Sequence, residues 1–205
     1  MKKFEEKYNV SHETFLDLKC YLSLLEEWQK KFNLVSNSSL ETAWKRHFLD
    51  SAQLFKYIPK NAKTLVDFGS GAGFPGMVLA IMGKNRTPYL KVTLVESIKK
   101  KTVYLNEVAQ KTNTETEILN ERIENIKNRK FDVITSRAMT SLTNLLNYTI
   151  AFCKKDTICI FPKGKNYETE LEEAKKQWKF DCKIETSEFS EEGKILIINN
   201  IVRRK

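Results

Sequence analysis

The segment TLVDFGSGAGFPG, residues 64–76, restricts the possible folds more than any other part of this chain. Five residues typical of a buried strand lead directly into a turn with four glycines and a proline, and apolar residues at helical spacing follow. A strand that ends in a glycine-rich turn before a helix brings its backbone close to a nucleotide-like ligand. The segment therefore predicts an α/β fold with a ligand site at the carboxyl end of this strand.

Strand and helix patterns alternate after residue 64, which is typical of a doubly wound, mostly parallel sheet. Five strands are expected in this region, at 64–68, 91–97, 115–120, 131–138 and 157–164. Four helices are expected, at 74–83, 99–112, 141–152 and 166–178. Two further strands, 182–189 and 194–202, have no helix between them and should close the sheet as an antiparallel hairpin. We therefore expect a Rossmann-like domain over residues 61–205.

Residues 1–60 are interpreted as a helical extension that packs on this domain. Apolar residues between 14 and 32 recur at helical spacing, and Ser11 is a suitable N-cap for that helix. A second helix is expected over residues 40–58, with Pro59 ending it.

Composition indicates the kind of partner and the cellular compartment. The chain carries 35 basic and 26 acidic residues, a formal net charge of +9, which favours a polyanion such as nucleic acid. The alternative is a proteome that is generally rich in lysine. Four scattered cysteines without metal-ligand spacing predict reduced thiols in the cytoplasm and no metal site. No apolar run reaches the roughly 18 residues of a membrane span, so no membrane association is expected.

The glycine turn also resembles a dinucleotide site. Gly71, Gly73 and Gly76 match the spacing G-x-G-x-x-G, and Glu96 follows twenty positions later. Three features disfavour NAD: Asp67 places a carboxylate near the expected pyrophosphate, Pro75 stiffens the helix entry, and a hairpin replaces the second nucleotide-binding half. No Gly-Lys-Ser/Thr follows the glycines, which excludes a P-loop.

A ligand with an adenosine and a cation but no phosphate accounts for all three features, and S-adenosylmethionine is such a ligand. Its ammonium and sulfonium tolerate Asp67, its ribose hydroxyls need an acceptor such as Glu96, and its carboxylate suits the amides after Gly73. The alternative is that the glycines only permit strand–helix packing, with Glu96 a solvated loop residue.

Five motifs together resemble the RNA small-subunit methyltransferase G family, which is also called glucose-inhibited division protein B. They are VDFGSGAGFPG (66–76), NLVS (33–36), RHFLDS (46–51), SRAMTSL (136–142) and PKGK (162–165). The similarity follows the same order over nearly the whole chain. It implies a class I S-adenosylmethionine-dependent methyltransferase fold. It also implies methyl transfer to N7 of a guanine in small-subunit (16S) ribosomal RNA, free or in a ribosomal particle. We expect a monomer.

The resemblance also implies roles for individual residues. Gly69 and Phe74 belong to the cofactor loop, Ile123 and Glu124 flank the adenine, and Arg137 faces the site. The expected cofactor-binding residues are therefore Asp67, Gly69, Gly71, Gly73, Phe74, Glu96, Ile123, Glu124 and Arg137.

Guanine N7 carries an unprotonated lone pair, so its attack on a methyl group needs no general base and depends mainly on alignment. Arg137 follows a strand and can donate to guanine O6, which makes it the expected catalytic residue, acting by positioning the substrate. The alternative is that Arg137 is exposed to solvent or binds a phosphate.

Basic residues near these motifs are expected to contact RNA: Arg46, His47, Lys163 and Lys165. A solvated surface is the alternative for the two lysines. His47 and Asp50 lie three positions apart on one helix face, where they can tie the extension to the domain.

Two other functions stay open at this point. The first is an S-adenosylmethionine-dependent methyltransferase that acts on another RNA, a protein or a small molecule; the basic charge and the missing N/D-P-P-Y tetrapeptide disfavour it. The second is a noncatalytic RNA-binding protein of the same fold, which would have no use for an intact glycine turn.

Overall fold

The computed structural model describes residues 2–204 and contains one seven-stranded sheet. The strands are β1 Thr64–Phe68, β2 Lys91–Val95, β3 Glu117–Leu119, β4 Phe131–Thr135, β5 Cys153–Lys163, β6 Trp178–Thr186 and β7 Lys194–Arg203. Their order across the sheet is β3-β2-β1-β4-β5-β7-β6. Strands β1 to β5 are parallel, and β7 is antiparallel to both β5 and β6. The predicted doubly wound sheet with a terminal antiparallel hairpin is confirmed.

Helices cover both faces of this sheet. The α-helices are α1 Lys2–Tyr8, α2 His12–Gln29, α3 Asn37–Leu40, α4 Asp50–Ala52, α5 Gly76–Arg86, α6 Lys99–Lys111, α7 Leu142–Thr149 and α8 Tyr167–Gln177. A π-helical segment covers Trp44–Leu49, and short 3₁₀ turns cover Gln53–Tyr57, Ile123–Asn125 and Ile150–Phe152. Ser11 caps α2 as predicted, since its hydroxyl accepts from the Thr14 amide at 3.1 Å.

The single helix predicted over residues 40–58 is wrong. That region consists of α3, the π-helical segment, α4 and a 3₁₀ turn in succession. Polar side chains within it are buried against other parts of the chain, and these tertiary contacts outweigh the regular helical spacing of the apolar residues. Several other boundaries also differ from prediction, among them that of the first hairpin strand, since β6 covers Trp178–Thr186 rather than 182–189. Helix α5 continues past Gly83 to Arg86, and β5 begins at Cys153 rather than at residue 157.

The extension shares its core with the sheet domain. Leu18, Tyr21 and Leu25 of α2 are completely buried and belong to the same apolar cluster as Met77 of α5 and Leu105 of α6. Burial of such large side chains is the main stabilising contribution to a fold of this kind. The extension therefore packs against α5 and α6 on one face of the sheet domain. The division of the chain at residue 60 stays a prediction.

Two polar contacts fix the extension on this face. Lys84 Nζ of α5 lies 2.7 Å from Asp17 Oδ2 of α2, with both side chains 17% exposed. Trp28 Nε1 donates to Glu107 Oε2 of α6 at 2.9 Å. Because both pairs are shielded from solvent, they set the orientation of α2 more strongly than exposed pairs would.

Candidate functional site

A cavity of about 640 Å³ lies at the carboxyl ends of the parallel strands. Its walls come from residues 69–72 after β1, 96–97 after β2, 121–124 after β3 and 137–140 after β4. The strand order reverses between β1 and β4, and the crevice at such a point is where ligands bind in open α/β sheets. The cavity also falls within the volume range of small-molecule and cofactor sites.

The glycine turn supplies the floor of this cavity. Gly71 has a φ of +58°, and a Cβ added there would meet only the Gly69 carbonyl oxygen at 3.8 Å, so the space above it is open. Gly73 has a φ of +95°, and a Cβ there would collide with the Tyr21 hydroxyl and lie 2.9 Å from Leu105 Cδ2. One glycine thus leaves room for a ligand, whereas the other allows α2 and α6 to pack against the turn.

Asp67 lies beneath the turn and is not among the residues that line the cavity. Its side chain is completely buried, with Oδ1 accepting from the Thr135 hydroxyl at 2.8 Å and Oδ2 from the Gly76 amide at 3.2 Å. Burial raises the pKa of this carboxyl to about 6, while the hydrogen bonds and the charge of Arg137 oppose the rise. The expected direct contact with the cofactor needs correction, because this carboxyl joins β1, β4 and the start of α5.

Glu96 lies at the cavity wall and bridges two loops. Its Oε2 accepts from the Gly71 amide at 2.9 Å, and its Oε1 accepts from the Ile98 amide at 2.7 Å. Each carboxylate oxygen has further acceptor capacity. The residue is therefore fixed in place and has capacity to accept a hydrogen bond from a ligand hydroxyl. Its contact with a ribose stays a prediction.

The two residues predicted to flank the adenine also line the cavity. Ile123 and Glu124 lie in the 3₁₀ turn after β3, the first buried and the second exposed. An apolar side chain beside an exposed acid suits a flat heterocycle with polar edges. Their contact with an adenine stays a prediction.

Arg137 enters the cavity wall directly after β4, as predicted, but the extension holds its guanidinium. Its Nη1 donates to the Arg46 carbonyl oxygen at 3.2 Å and to Asp50 Oδ2 at 3.4 Å. Its Nη2 donates to His47 Nδ1 at 3.0 Å. The guanidinium carbon lies 5.2 Å from the centre of the Phe74 ring, within range of a cation–π contact.

His47 is buried between this arginine and the glycine turn. Its ring stacks on Phe74 with the ring centres 4.9 Å apart. Burial, together with the charges of Arg137 and Arg46, lowers the pKa of the imidazole to about 3, so the ring is neutral at pH 7. Because Nδ1 accepts from Arg137, the network assigns the proton to Nε2, which lies 3.1 Å from Ser39 Oγ. The prediction that His47 contacts RNA is therefore wrong, since its polar atoms are used internally.

The ammonium of Lys163 also bonds within the protein. Its Nζ donates to Glu170 Oε2 at 2.7 Å and to the Thr140 carbonyl oxygen at 3.0 Å, and its side chain is only 8% exposed. The prediction that it binds RNA is wrong, because its ammonium is already paired and supports the loop after β4. Arg46 and Lys165 are exposed, and their contact with RNA stays a prediction.

One wall of the cavity was not predicted. Leu34 and Val35 of the NLVS motif line it, and Gln29 holds their loop. Gln29 Oε1 accepts from the amides of Leu34 at 2.8 Å and Val35 at 3.1 Å, and its Nε2 donates to the Val35 carbonyl oxygen at 2.9 Å. The motif itself was the available signal, but its place beside the glycine turn depends on how α2 packs.

Residues 2–204 contain neither a candidate membrane span nor a candidate metal site. No helix there is long and apolar enough to cross a membrane. In the same residues, no group of three or more His, Cys, Asp and Glu side chains is arranged to hold a metal ion.

Comparison with known proteins identifies the family. The model of the family described as rRNA small subunit methyltransferase G matches residues 15–197. The chain belongs to this family. Ribosomal RNA small subunit methyltransferase G of Orientia tsutsugamushi is 44% identical over 178 residues, 86% of each chain. The protein of the same name from Ruegeria pomeroyi is 37% identical over 195 residues, 95% of each chain.

Solved structures agree on the fold. A TehB-like SAM-dependent methyltransferase from Corynebacterium glutamicum matches with a TM-score of 0.57 at 13% identity, covering 87% of this chain and 97% of its own. The PH0226 protein from Pyrococcus horikoshii matches with a TM-score of 0.61 at 13% identity, covering 84% and 98%. Family membership confirms the resemblance and the predicted class of enzyme, a methyltransferase that uses S-adenosylmethionine.

Proposed function

We propose that this chain transfers a methyl group from S-adenosylmethionine to N7 of a guanine in small-subunit (16S) ribosomal RNA. The chain is a member of this family, and one structural observation gives the proposal its main support. A single cavity at the carboxyl ends of the strands combines the open space above Gly71, the fixed carboxylate of Glu96 and the guanidinium of Arg137. These three features supply room for a cofactor, an acceptor for hydroxyls and a donor for a base edge.

The residues present suit S-adenosylmethionine. The open space at Gly71 is where a Cβ would obstruct a ligand, and Glu96 has acceptor capacity for ribose hydroxyls. Ile123 and Glu124 provide a side for the adenine. When bound, this cofactor supplies an electrophilic methyl group on a positively charged sulfur.

The chemistry requires alignment more than proton transfer. Guanine N7 has a free lone pair at neutral pH, so the chain needs no general base for this step. The task of Arg137 is to donate to guanine O6 and so hold the base with N7 unobstructed. Fixing two reactants in this way can account for a large part of the rate enhancement.

The RNA partner is proposed from charge and position. The net charge of +9 favours a polyanion, and the exposed side chains of Arg46 and Lys165 can contact phosphates. The substrate is small-subunit RNA or a ribosomal particle, and the protein acts as a monomer in the cytoplasm.

The proposal is tested with ribosomal RNA from a strain that lacks the gene. Purified protein and labelled S-adenosylmethionine are incubated with that RNA or with small subunits, and mass spectrometry maps modified guanines. We expect a 7-methylguanosine that is missing from the mutant RNA and restored by the protein. A label on protein or small molecules but not on RNA would contradict the proposal, as would binding of NAD as strong as that of S-adenosylmethionine.

The same assay tests the role of Arg137. Replacement by Ala should lower single-turnover methyl transfer by about 10- to 200-fold, the scale of losing one good base contact. Replacement by Lys should not restore full activity, because an ammonium lacks the planar fork of a guanidinium. The dissociation constant of S-adenosylmethionine should change much less. Arg203→Ala serves as the control, because Arg203 is an exposed arginine at the end of β7 and does not line the cavity. Unchanged turnover in Arg137→Ala would remove this residue from the site.

A further inference from the structure

A network of largely buried polar side chains links Arg137 to two distant parts of the chain. Asp50 Oδ2 accepts from Arg137 Nη1 at 3.4 Å, and Asp50 Oδ1 accepts from Gln53 Nε2 at 2.8 Å and from Ser187 Oγ at 2.9 Å. Gln53 Oε1 also accepts from the Glu188 amide at 2.9 Å. The extension and the loop between β6 and β7 therefore share one carboxylate, and that carboxylate contacts the guanidinium in the cavity wall.

Some N–H groups of the Arg137 guanidinium donate to other groups of the protein, and the others can donate to a ligand. A guanidinium has five N–H groups. Three of them donate to the Arg46 carbonyl oxygen, Asp50 and His47. In the part of the chain that the structure describes, residues 2–204, the hydrogen bonds leave the Nε–H and one Nη2–H of Arg137 for a ligand. These two nitrogens are bonded to the same carbon, and both can donate to guanine O6, a carbonyl oxygen with two lone pairs, so that N7 stays free.

The surroundings make this orientation difficult to change. The Arg137 side chain is 18% exposed and that of Asp50 is 16% exposed, so the pair is largely shielded from water. Phe74 lies against both the guanidinium and the His47 ring, and Phe74 belongs to the glycine turn. The contacts that hold Arg137 therefore include a residue of the turn that forms the floor of the cavity.

We infer that Asp50 and His47 are positioning residues for methyl transfer: they fix one end of the Arg137 guanidinium so that its remaining N–H groups face the guanine. This inference rests on the proposed function. Neither residue lines the cavity, so both act through Arg137. A flexible arginine would still bind a base but would align it poorly, and misalignment lowers the rate of the chemical step.

The test compares pairs of variants in single-turnover methylation of small-subunit RNA. Asp50→Asn should lower the rate constant by about 10- to 100-fold, while the RNA KM and the dissociation constant of S-adenosylmethionine change by less than about threefold. His47→Asn keeps an acceptor close to the position of Nδ1 and should retain most of the rate. His47→Leu removes the acceptor and should lose as much rate as Asp50→Asn.

Ser187→Ala is the matched control, because it removes a hydrogen bond to the other oxygen of Asp50 without touching Arg137. Melting temperatures of all variants are measured alongside. If Asp50→Asn does not fold, the comparison of His47→Asn with His47→Leu still tests the inference. The inference is overturned if Asp50→Asn turns over like the wild type, if Ser187→Ala loses the same rate, or if His47→Asn and His47→Leu behave alike. A wild type that methylates no small-subunit RNA overturns the proposed function, and the inference with it.

Discussion

The buried carboxyl of Asp67 should make the stability of this protein depend on pH. Burial raises its pKa from 3.8 to about 6. A group whose pKa is higher in the folded state contributes stability that is fully present below the unfolded pKa and is lost as the pH rises through the folded pKa. The two pKa values differ by about two pH units, which corresponds to about 3 kcal/mol. Most of that contribution should disappear between about pH 4 and pH 7.

Asp67→Asn isolates this contribution. An asparagine keeps the shape, can accept from the Gly76 amide and donate to the Thr135 hydroxyl oxygen, and does not ionise. We therefore expect the unfolding free energy of the wild type, minus that of the variant, to fall by about 2.5 kcal/mol from pH 4 to pH 7. His47 acts in the opposite direction, because its lowered pKa gives stability that is lost as the pH falls from about 6.5 towards 3. Both proteins contain His47, so its effect cancels in the difference.

The assay is urea unfolding of both proteins, followed by circular dichroism at several pH values between 4 and 7.5. Asp132→Asn is a suitable control. Burial favours the neutral form of Asp132, but hydrogen bonds from Lys154, Lys63 and Thr64 outweigh it and lower the pKa to about 2. Its contribution is therefore lost only below about pH 4, and its difference from wild type should be flat above pH 5. An Asp67→Asn difference that varied by less than about 0.5 kcal/mol over the whole range would refute the reasoning.

Three further predictions concern ligands. Gly71→Val should abolish measurable S-adenosylmethionine binding in calorimetry, because its side chain would occupy open cavity space at a positive φ; unchanged affinity would place the cofactor elsewhere. Gln29→Ala should raise the RNA KM and lower the unfolding free energy by about 1–3 kcal/mol, because the amides of Leu34 and Val35 lose their acceptor; an unchanged KM would exclude this loop from the substrate site. RNA affinity should fall steeply between roughly 50 and 200 mM salt, and a flat response would contradict phosphate contacts.

The parallel sheet could be predicted from the sequence because its strands are short apolar segments between clear helical patterns. Strand β1 was predicted with its observed bounds, Thr64–Phe68, and residues 65–68 are all completely buried. Continuous burial of this kind is typical of central parallel strands. The final hairpin was predicted because no helical pattern separates its two strands.

The segmented region between residues 37 and 57 could not be predicted in this way. Helical periodicity reports which apolar residues share a face, but it does not report where polar side chains find partners. Ser39, His47 and Gln53 are all buried there, and each bonds a group brought close by the fold. The Gln53–Ser187 contact joins residues 134 positions apart. Such contacts decide local geometry, and a single sequence does not contain their partners' positions.

The sequence predicted basic residues at the site, but it did not predict which of them the fold leaves exposed. Lys163 and Lys165 look equivalent in the sequence, yet Lys163 pairs with Glu170 from α8 and Lys165 is exposed. Lys163 is the last residue of β5, whereas Lys165 lies beyond the end of the strand. The packing of α8 against this end of β5 decides which lysine meets an acid. A lysine in the sequence therefore predicts a positive charge at this edge of the sheet. It does not predict whether that lysine is available to RNA.

The extension is best understood as part of the reaction geometry. Its α2 places Tyr21 against the glycine turn, where the hydroxyl donates to the Ala72 carbonyl oxygen and the ring stacks on Phe74. Its later segments hold Arg137 through His47 and Asp50. The turn that suits the cofactor and the arginine that suits the base are therefore fixed by the same set of helices. A change in how these helices pack should alter the alignment of both reactants together, which is the quantity on which attack by an already nucleophilic N7 depends.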